Sequence, residues 1–437
     1  MEYSPKRPEH KPHRDSAHAS RTASSVYRLP EELLVSVFTI LIESNPSSIG
    51  TLLFVSRYWH SVAATTASIW SKIHSRPRSL EEVEKDTKYI QTAVKNSSNL
   101  PLDVTIDLYN LEYKTSPADS YPNQSLAAVE DGQGDGADVL LFGLFKALVG
   151  DRRINVARLR SISLNNTHPG GIGVLTDEIA VKRFLSGLDC PTPLLESLSL
   201  HLPYVDHYFT GKESLQDLKA LKHLIVDAGG HLGCINLIPE TIQTLAFRLW
   251  STTRVLSRFN RLRVLSIDNW PNAGVTYDAD PELIFPLLKC LTWRLRYSPY
   301  LMSKRTGSLP QKIRAPSLTT LRLLDAEAIT VVGGADVYHH VHTLDLLSPA
   351  LKEIIDFIQL HLYKYTALVN LTVLPGNLDV VKDKIRALQG QVPTGLNSLY
   401  TIISDKNGVV VDESTELPSW RPAEDYIYKK DDTFIGQ

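Results

Sequence analysis

At 437 residues the chain is too long for one simple core, so it holds two or three domains or a repeat array. Its 46 basic and 48 acidic residues leave a formal net charge of -2, which excludes both a polycation built for nucleic acid and a strongly acidic solvating chain. The three cysteines, Cys190, Cys234 and Cys290, include no CxxC pair, which excludes a usual zinc cluster and a disulfide framework.

Residues 1–26 are rich in Pro, His, Ser and basic side chains, with almost nothing apolar to repay the entropy of ordering, and read as a disordered tail. A helical module follows over 27–75. Pro30 suits a first helical position, and Glu31 and Glu32 put acid where the helix dipole favours it. Leu33, Leu34, Val37, Phe38, Leu41 and Ile42 recur at three-to-four residue spacing until Asn45-Pro46 stops the pattern. Ile49, Leu52, Leu53 and Val55 form a second apolar segment, Ser56 is placed to cap a third helix carrying Trp59, Val62 and Ala63, and Ile69-Trp70 closes the unit. This is more apolar surface than so small a unit can bury, which points to docking.

The order Leu29-Pro30-x-Glu-Leu-Leu34, then Phe38 and Leu41, then Val55-Ser-Arg-x-Trp59, Val62-Ala63 and Ile69-Trp70 resembles the F-box family. Ile69 stands where the family often has Leu. The resemblance implies a partner, a Skp-type adaptor and through it a cullin. It further implies that Leu29, Pro30, Leu33, Leu34, Val37, Phe38, Leu52, Val55, Trp59 and Trp70 are shared between the module's core and the adaptor interface. Sequence alone does not divide the two sets.

An amphipathic connecting helix is predicted within 76–100, from Leu80, Val83, Ile90 and Val94. Leu102, Val104, Ile106 and Leu108 then alternate with polar residues, as a half-buried strand requires. Residues 113–138 turn polar and rich in Gly, Pro, Ser and Asp, a mobile insertion. Its run Asp131-Gly-Gln-Gly-Asp-Gly136 fails as a calcium loop, because Phe142 occupies the position that needs a bidentate Glu. A helix over Val139–Val149 follows.

From Leu159 the motif L-x-x-L-x-L recurs: Leu159/Ile162/Leu164, Leu195/Leu198/Leu200, Leu221/Leu224/Val226, Ile242/Leu245/Phe247, Leu262/Leu265/Ile267, Leu288/Leu291/Trp293, Leu318/Leu321/Leu323, Val341/Leu344/Leu346 and Leu368/Leu371/Val373, with a degraded Leu396/Leu399/Thr401. This resembles an irregular leucine-rich repeat, each copy a short strand stacked on the next. The predicted fold class is therefore α/β, a small helical F-box module followed by an irregular leucine-rich-repeat solenoid over 101–416. Residues 417–437 form a tail or a cap.

Phase places small polar residues and a few charges on the solvent-facing concave side. Asp227, Arg248, Asp268, Arg294, Arg322 and Asp345 are the candidate substrate-binding residues, the arginines offering bidentate donors to a carboxylate or phosphate. The bland alternative is a set of solvated charges partly paired with one another. Cys290 falls on an exposed strand position of the same pattern.

No catalytic motif emerges. Asp206 and Glu213 spoil a P-loop around Gly211-Lys212, Thr176 spoils a dinucleotide fingerprint after His168, and His339-His340-x-His342 alternates across a strand start rather than sharing a face. No cofactor or metal is expected. Apolar runs such as Val139–Val149 fall short of the roughly 20 residues needed to span a bilayer, and no signal peptide is read, so the expectation is a cytoplasmic or nuclear protein without membrane or nucleic-acid partners. The function that fits is the non-catalytic substrate-recognition subunit of a Skp-cullin-F-box type ubiquitin ligase. A scaffold that takes no part in ubiquitin transfer is the alternative, and an unrecognised hydrolase in the repeats a third.

Overall fold

A computed structural model of the chain describes residues 29–45, 48–108, 111, 136–165, 188, 192–204, 218–229, 238–249, 253–269, 282–295, 313–324, 328–330, 338–388, 393–396, 398–403 and 427–430. The chain divides into two compact units, Met1–Ile69 and Trp70–Gln437.

The first unit holds α1 (Glu31–Ser44), α2 (Ile49–Val55) and α3 (Arg57–Thr65). Pro30 precedes α1 and the backbone N–H of Leu34 bonds the Pro30 carbonyl at 3.1 Å, so the missing proline N–H costs nothing. Ser56 caps α3, its hydroxyl accepting from the Trp59 N–H at 3.1 Å. Leu34, Phe38 and Ile42, four residues apart on one face of α1, join Ile49, Leu52, Val62 and Ala63 in the core. Helix α4 (Ala67–Trp70) spans the division between the units.

The second unit is built on one thirteen-stranded sheet. Its strands are β1 (Lys72–Ser75), β2 (Leu102–Asp107), β3 (Leu159–Asn165), β4 (Ser197–Tyr204), β5 (His223–Gly229), β6 (Thr244–Leu249), β7 (Val264–Asn269), β9 (Cys290–Leu295), β11 (Thr320–Leu324), β12 (Thr343–Leu347), β13 (Asn370–Val373), β14 (Ser398–Ile403) and β15 (Ile427–Lys430). They lie in chain order and pair in parallel, except β15, which runs antiparallel to β14. Two further two-residue strands, β8 (Leu283–Ile284) and β10 (Ile313–Arg314), pair with each other.

Every triplet from Leu159 to Val373 is buried, no member exceeding 2 % exposure, so each repeat supplies three side chains to one continuous core. Leu288 N–H bonds the Phe285 carbonyl and Leu318 N–H that of Ala315, a turn that recurs before the main-sheet strands from β4 to β14 and sets their phase. Turn side chains stitch neighbouring repeats. Thr241 Oγ1 donates to the Leu221 carbonyl at 2.8 Å, Ser317 Oγ to that of Pro286 at 2.7 Å, and His340 Nε2 to that of Ala315 at 2.9 Å. Gly395 suits the last of these turns, because a Cβ there would press on the Leu368 carbonyl oxygen at 3.0 Å.

The array starts earlier than the sequence suggested. β1 pairs in parallel with β2, and the expected connecting helix, α5 (Leu80–Asn96), is the crossover between them. Ser79 caps it and Val83, Ile90 and Ala93 are buried, so its apolar stripe belongs to the array's own core. Helix α6 (Gly136–Val149) crosses from β2 to β3; α7 (Leu351–Leu360) and α8 (Leu378–Ala387) serve the last repeats. The N-terminal tail, most of the insertion 113–138 and the degenerate phosphate-loop stretches lie outside the described residues. So does most of the C-terminal segment, apart from Ile427–Lys430, which closes the sheet.

Candidate functional site

Two surfaces stand out among the described residues. The first is on α1 and α2. With Leu34, Phe38 and Ile42 turned inward, the opposite faces of the same helices leave Leu33, Val37, Ile40 and Leu41 exposed, Ile40 at 65 %. On α2, Phe54 is 90 % exposed and Val55 is exposed beside it, and Leu29 and Pro30 are exposed ahead of α1. Monomeric domains seldom leave so many large apolar side chains together in water.

The structure thus divides the ten module residues that sequence could not separate. Leu34, Phe38 and Leu52 are core, and Trp59 is half-buried with its ring edge-on to Phe38 at 5.2 Å between centroids. Leu29, Pro30, Leu33, Val37 and Val55 are exposed. Trp70 is buried and belongs to the second unit, so it offers no docking surface. Ile40 and Phe54, the most exposed large apolar residues of the module, were absent from the candidate set. Helical phase was the signal that could have found Ile40, seven residues from Leu33 and three from Val37.

The second surface is the concave face of the sheet. Most of its small polar residues behave as phase predicts, Ser163, Ser197, Ser199, Thr244, Ser266, Thr292, Thr320, Thr343 and Asn370 being part-exposed, whereas Thr372, expected at the same phase, is buried. Ser199 Oγ and His201 Nε2 share a hydrogen bond of 3.0 Å, and His74 Nε2 donates to Asp107 Oδ2 at 3.0 Å. Charge pairs run along the strand entrances. Arg160 chelates Asp103, drawing its guanidinium further from deprotonation, and Lys222 Nζ lies 2.6 Å from Glu196 Oε1, which holds that carboxyl below its usual range.

The charged candidates need correction. Arg294, Arg322 and Asp345 do not face solvent: all three are buried, Asp345 fully, and Arg322 Nε lies 2.8 Å from Asp345 Oδ2 on the adjoining strand at the same register. The attraction of the adjoining carboxylate offsets the cost of desolvating the guanidinium, so Arg322 is committed inside the protein. Asp227, Arg248 and Asp268 stand on β5, β6 and β7, with Arg248 at the register of Asp268 and Asp268 at that of Arg294; their side chains lie outside the described residues. Cys290 is also buried rather than exposed, and burial pushes its thiol up despite the nearby Arg322 charge. No cluster of three His, Cys, Asp or Glu suited to a metal occurs among the described residues, nor does any helix long and apolar enough to cross a membrane.

The F-box-like family model matches residues 26–76. No curated protein matches the chain. Among solved structures, the leucine-rich repeat-containing protein LegL7 from Legionella pneumophila is similar at 15% identity, covering 64% of this chain and 83% of that one with a TM-score of 0.31. The repeat assignment rests on the parallel strand order and the buried triplets described above. The chain therefore carries an F-box-like module over residues 26–76, followed in sequence by an array of stacked leucine-rich strands.

Proposed function

We propose that this chain is a substrate-recognition subunit of a Skp-cullin-F-box type ubiquitin ligase, working in the cytoplasm or nucleus. The observation that carries the reading is the exposed apolar face of α1 and α2, with Leu33, Val37, Ile40, Phe54 and Val55 in water on a module matched by the F-box-like family model. Burying such side chains against an adaptor is favourable, roughly 1.5–3 kcal/mol for a fully exposed one and less for those already half-covered, before the costs of association. The array would hold a target protein and the adaptor would carry it to a cullin. Tethering raises the target's effective concentration near the transferring enzymes, so the chain needs no catalytic group of its own.

Co-expression of the full chain with a Skp-type adaptor and a cullin tests this. Wild type should co-purify with both, and the Leu33→Asp/Phe54→Asp double variant should lose both while keeping its thermal unfolding profile, since neither residue is core. Capture of the adaptor without cullin would favour a scaffold that takes no part in ubiquitin transfer.

A further inference from the structure

The strand entrances form an unbroken row across the sheet. Glu196 N–H bonds the Arg160 carbonyl at 2.8 Å, Lys222 that of Glu196 at 2.9 Å, Gln243 that of Lys222 at 2.7 Å, Arg263 that of Gln243 at 2.7 Å, and Lys289 that of Arg263 at 2.8 Å. Because each bond joins one repeat to the next, these residues are lateral neighbours roughly 4.8 Å apart. At the row's start the charges alternate, with Asp103, Arg160, Glu196 and Lys222 satisfied in pairs.

That compensation stops at Arg263 and Lys289. Both are exposed, both are positive, and they sit side by side, an arrangement that costs free energy in a sheet when nothing negative intervenes. Two residues upstream, at the same turn position of the same two repeats, stand Arg261, exposed, and Leu287, 47 % exposed. The four make a small grid of three cations and one leucine. Beyond it the row continues as Thr319 and His342, also exposed and without a carboxylate. In the rows of turn and entrance residues from Lys219 to His342, the one acid is Glu240, in the turn before β6.

We propose that this grid is the anchoring point for an acidic peptide segment of the target protein, one carboxylate seated between Arg263 and Lys289, a second on Arg261, and an apolar side chain against Leu287. This rests on the reading of the array as a target-binding surface and specifies what it binds. An extended peptide places alternate side chains about 7 Å apart, which matches the spacing from Arg263 to Arg261 along the chain. The arginines add planar bidentate geometry to the attraction. Nucleic acid fits less well: its binding draws on many phosphate contacts along a basic track, whereas this patch has three cations around an exposed leucine on a chain of net charge -2. It also replaces the expected role of Arg322, whose guanidinium is already held by Asp345.

The test uses the full-length chain and fluorescence anisotropy with two labelled probes, a twelve-residue peptide of alternating Glu and Leu and an oligothymidine of equal charge. The peptide should bind more tightly than the oligothymidine, and its affinity should fall as salt rises. The Arg263→Glu/Lys289→Glu variant should lose at least roughly tenfold in peptide affinity, and Leu287→Ser a smaller factor. A control reversing two cations paired elsewhere, Lys88→Glu/Arg386→Glu, should bind as wild type does. Peptide affinity unchanged by the Arg263/Lys289 reversal, absence of peptide binding, or tighter binding of the oligothymidine would each overturn the proposal. Adaptor capture is scored in parallel on the same variants: if wild type captures no adaptor while the peptide result holds, the ligase reading fails and the acidic-segment site stands.

Discussion

The module and the array use the same residue type in opposite ways. In the array each leucine triplet is sealed between neighbouring repeats, whereas on α1 and α2 a comparable wealth of Leu, Ile, Val and Phe is split, half turned inward and half left in water. A stacked array provides its own partner for every apolar face but the last, so it closes its core internally. A helical unit of about 40 residues has no repeated neighbour of its own to seal a second apolar face, so its surplus stays exposed among the described residues of the unit.

That contrast can be broken most sharply from inside the array. Leu265→Ala removes a fully buried side chain from β7 and should cost about 2–5 kcal/mol in urea unfolding. Asp345→Ala strands the Arg322 charge and should cost a similar ~3–5 kcal/mol, most of it recovered in Arg322→Met/Asp345→Leu if the pair serves packing alone. On the module the expectation reverses: Ile40→Ser and Phe54→Ser should leave stability within about 0.5 kcal/mol while adaptor capture in pull-down falls sharply. Loss of the Ser56 cap in Ser56→Ala should destabilise the module by about 1 kcal/mol in thermal unfolding.

The smallest effect concerns Asp86. Burial raises its carboxyl above the usual range, partly offset by Ser75 Oγ donating to Oδ2 at 2.7 Å. A raised carboxyl favours folding most below its unfolded value of about 3.9, and that contribution is lost as pH climbs through the folded value. Asp86→Asn should therefore melt slightly higher than wild type at neutral pH, the gap closing towards pH 4; an unchanged gap across that range would remove the burial argument.

Much of this architecture was readable from the residues. A motif of three leucines at fixed spacing, repeated in series, leaves almost no other way to bury its side chains, so strand phase and the inward face from Leu159 to Val373 follow directly. β1 was hidden because Lys72–Ser75 holds one large apolar residue, Ile73, and is a strand only through its pairing with β2. Leu33 and Leu34 are identical and adjacent, and only the position of α2 and α3 decides which is core. The burial of Arg322 was illegible for a related reason. A charge at a concave phase normally meets water, and its exception depends on Asp345 arriving at the same register from a strand twenty-three residues away.

The two ends of the sheet bear on a different property, resistance to runaway assembly. Twelve parallel strands side by side are a template on which further copies could stack without limit, as they do in fibres. At one end the template begins with four residues that include Lys72; at the other, β15 reverses direction and carries Lys429 and Lys430. Short length, a reversed polarity and lysines on the outer strands all discourage edge-to-edge pairing. The last strand is thereby a terminator, and a chain cut before Ile427 should trade a discrete species for polymer.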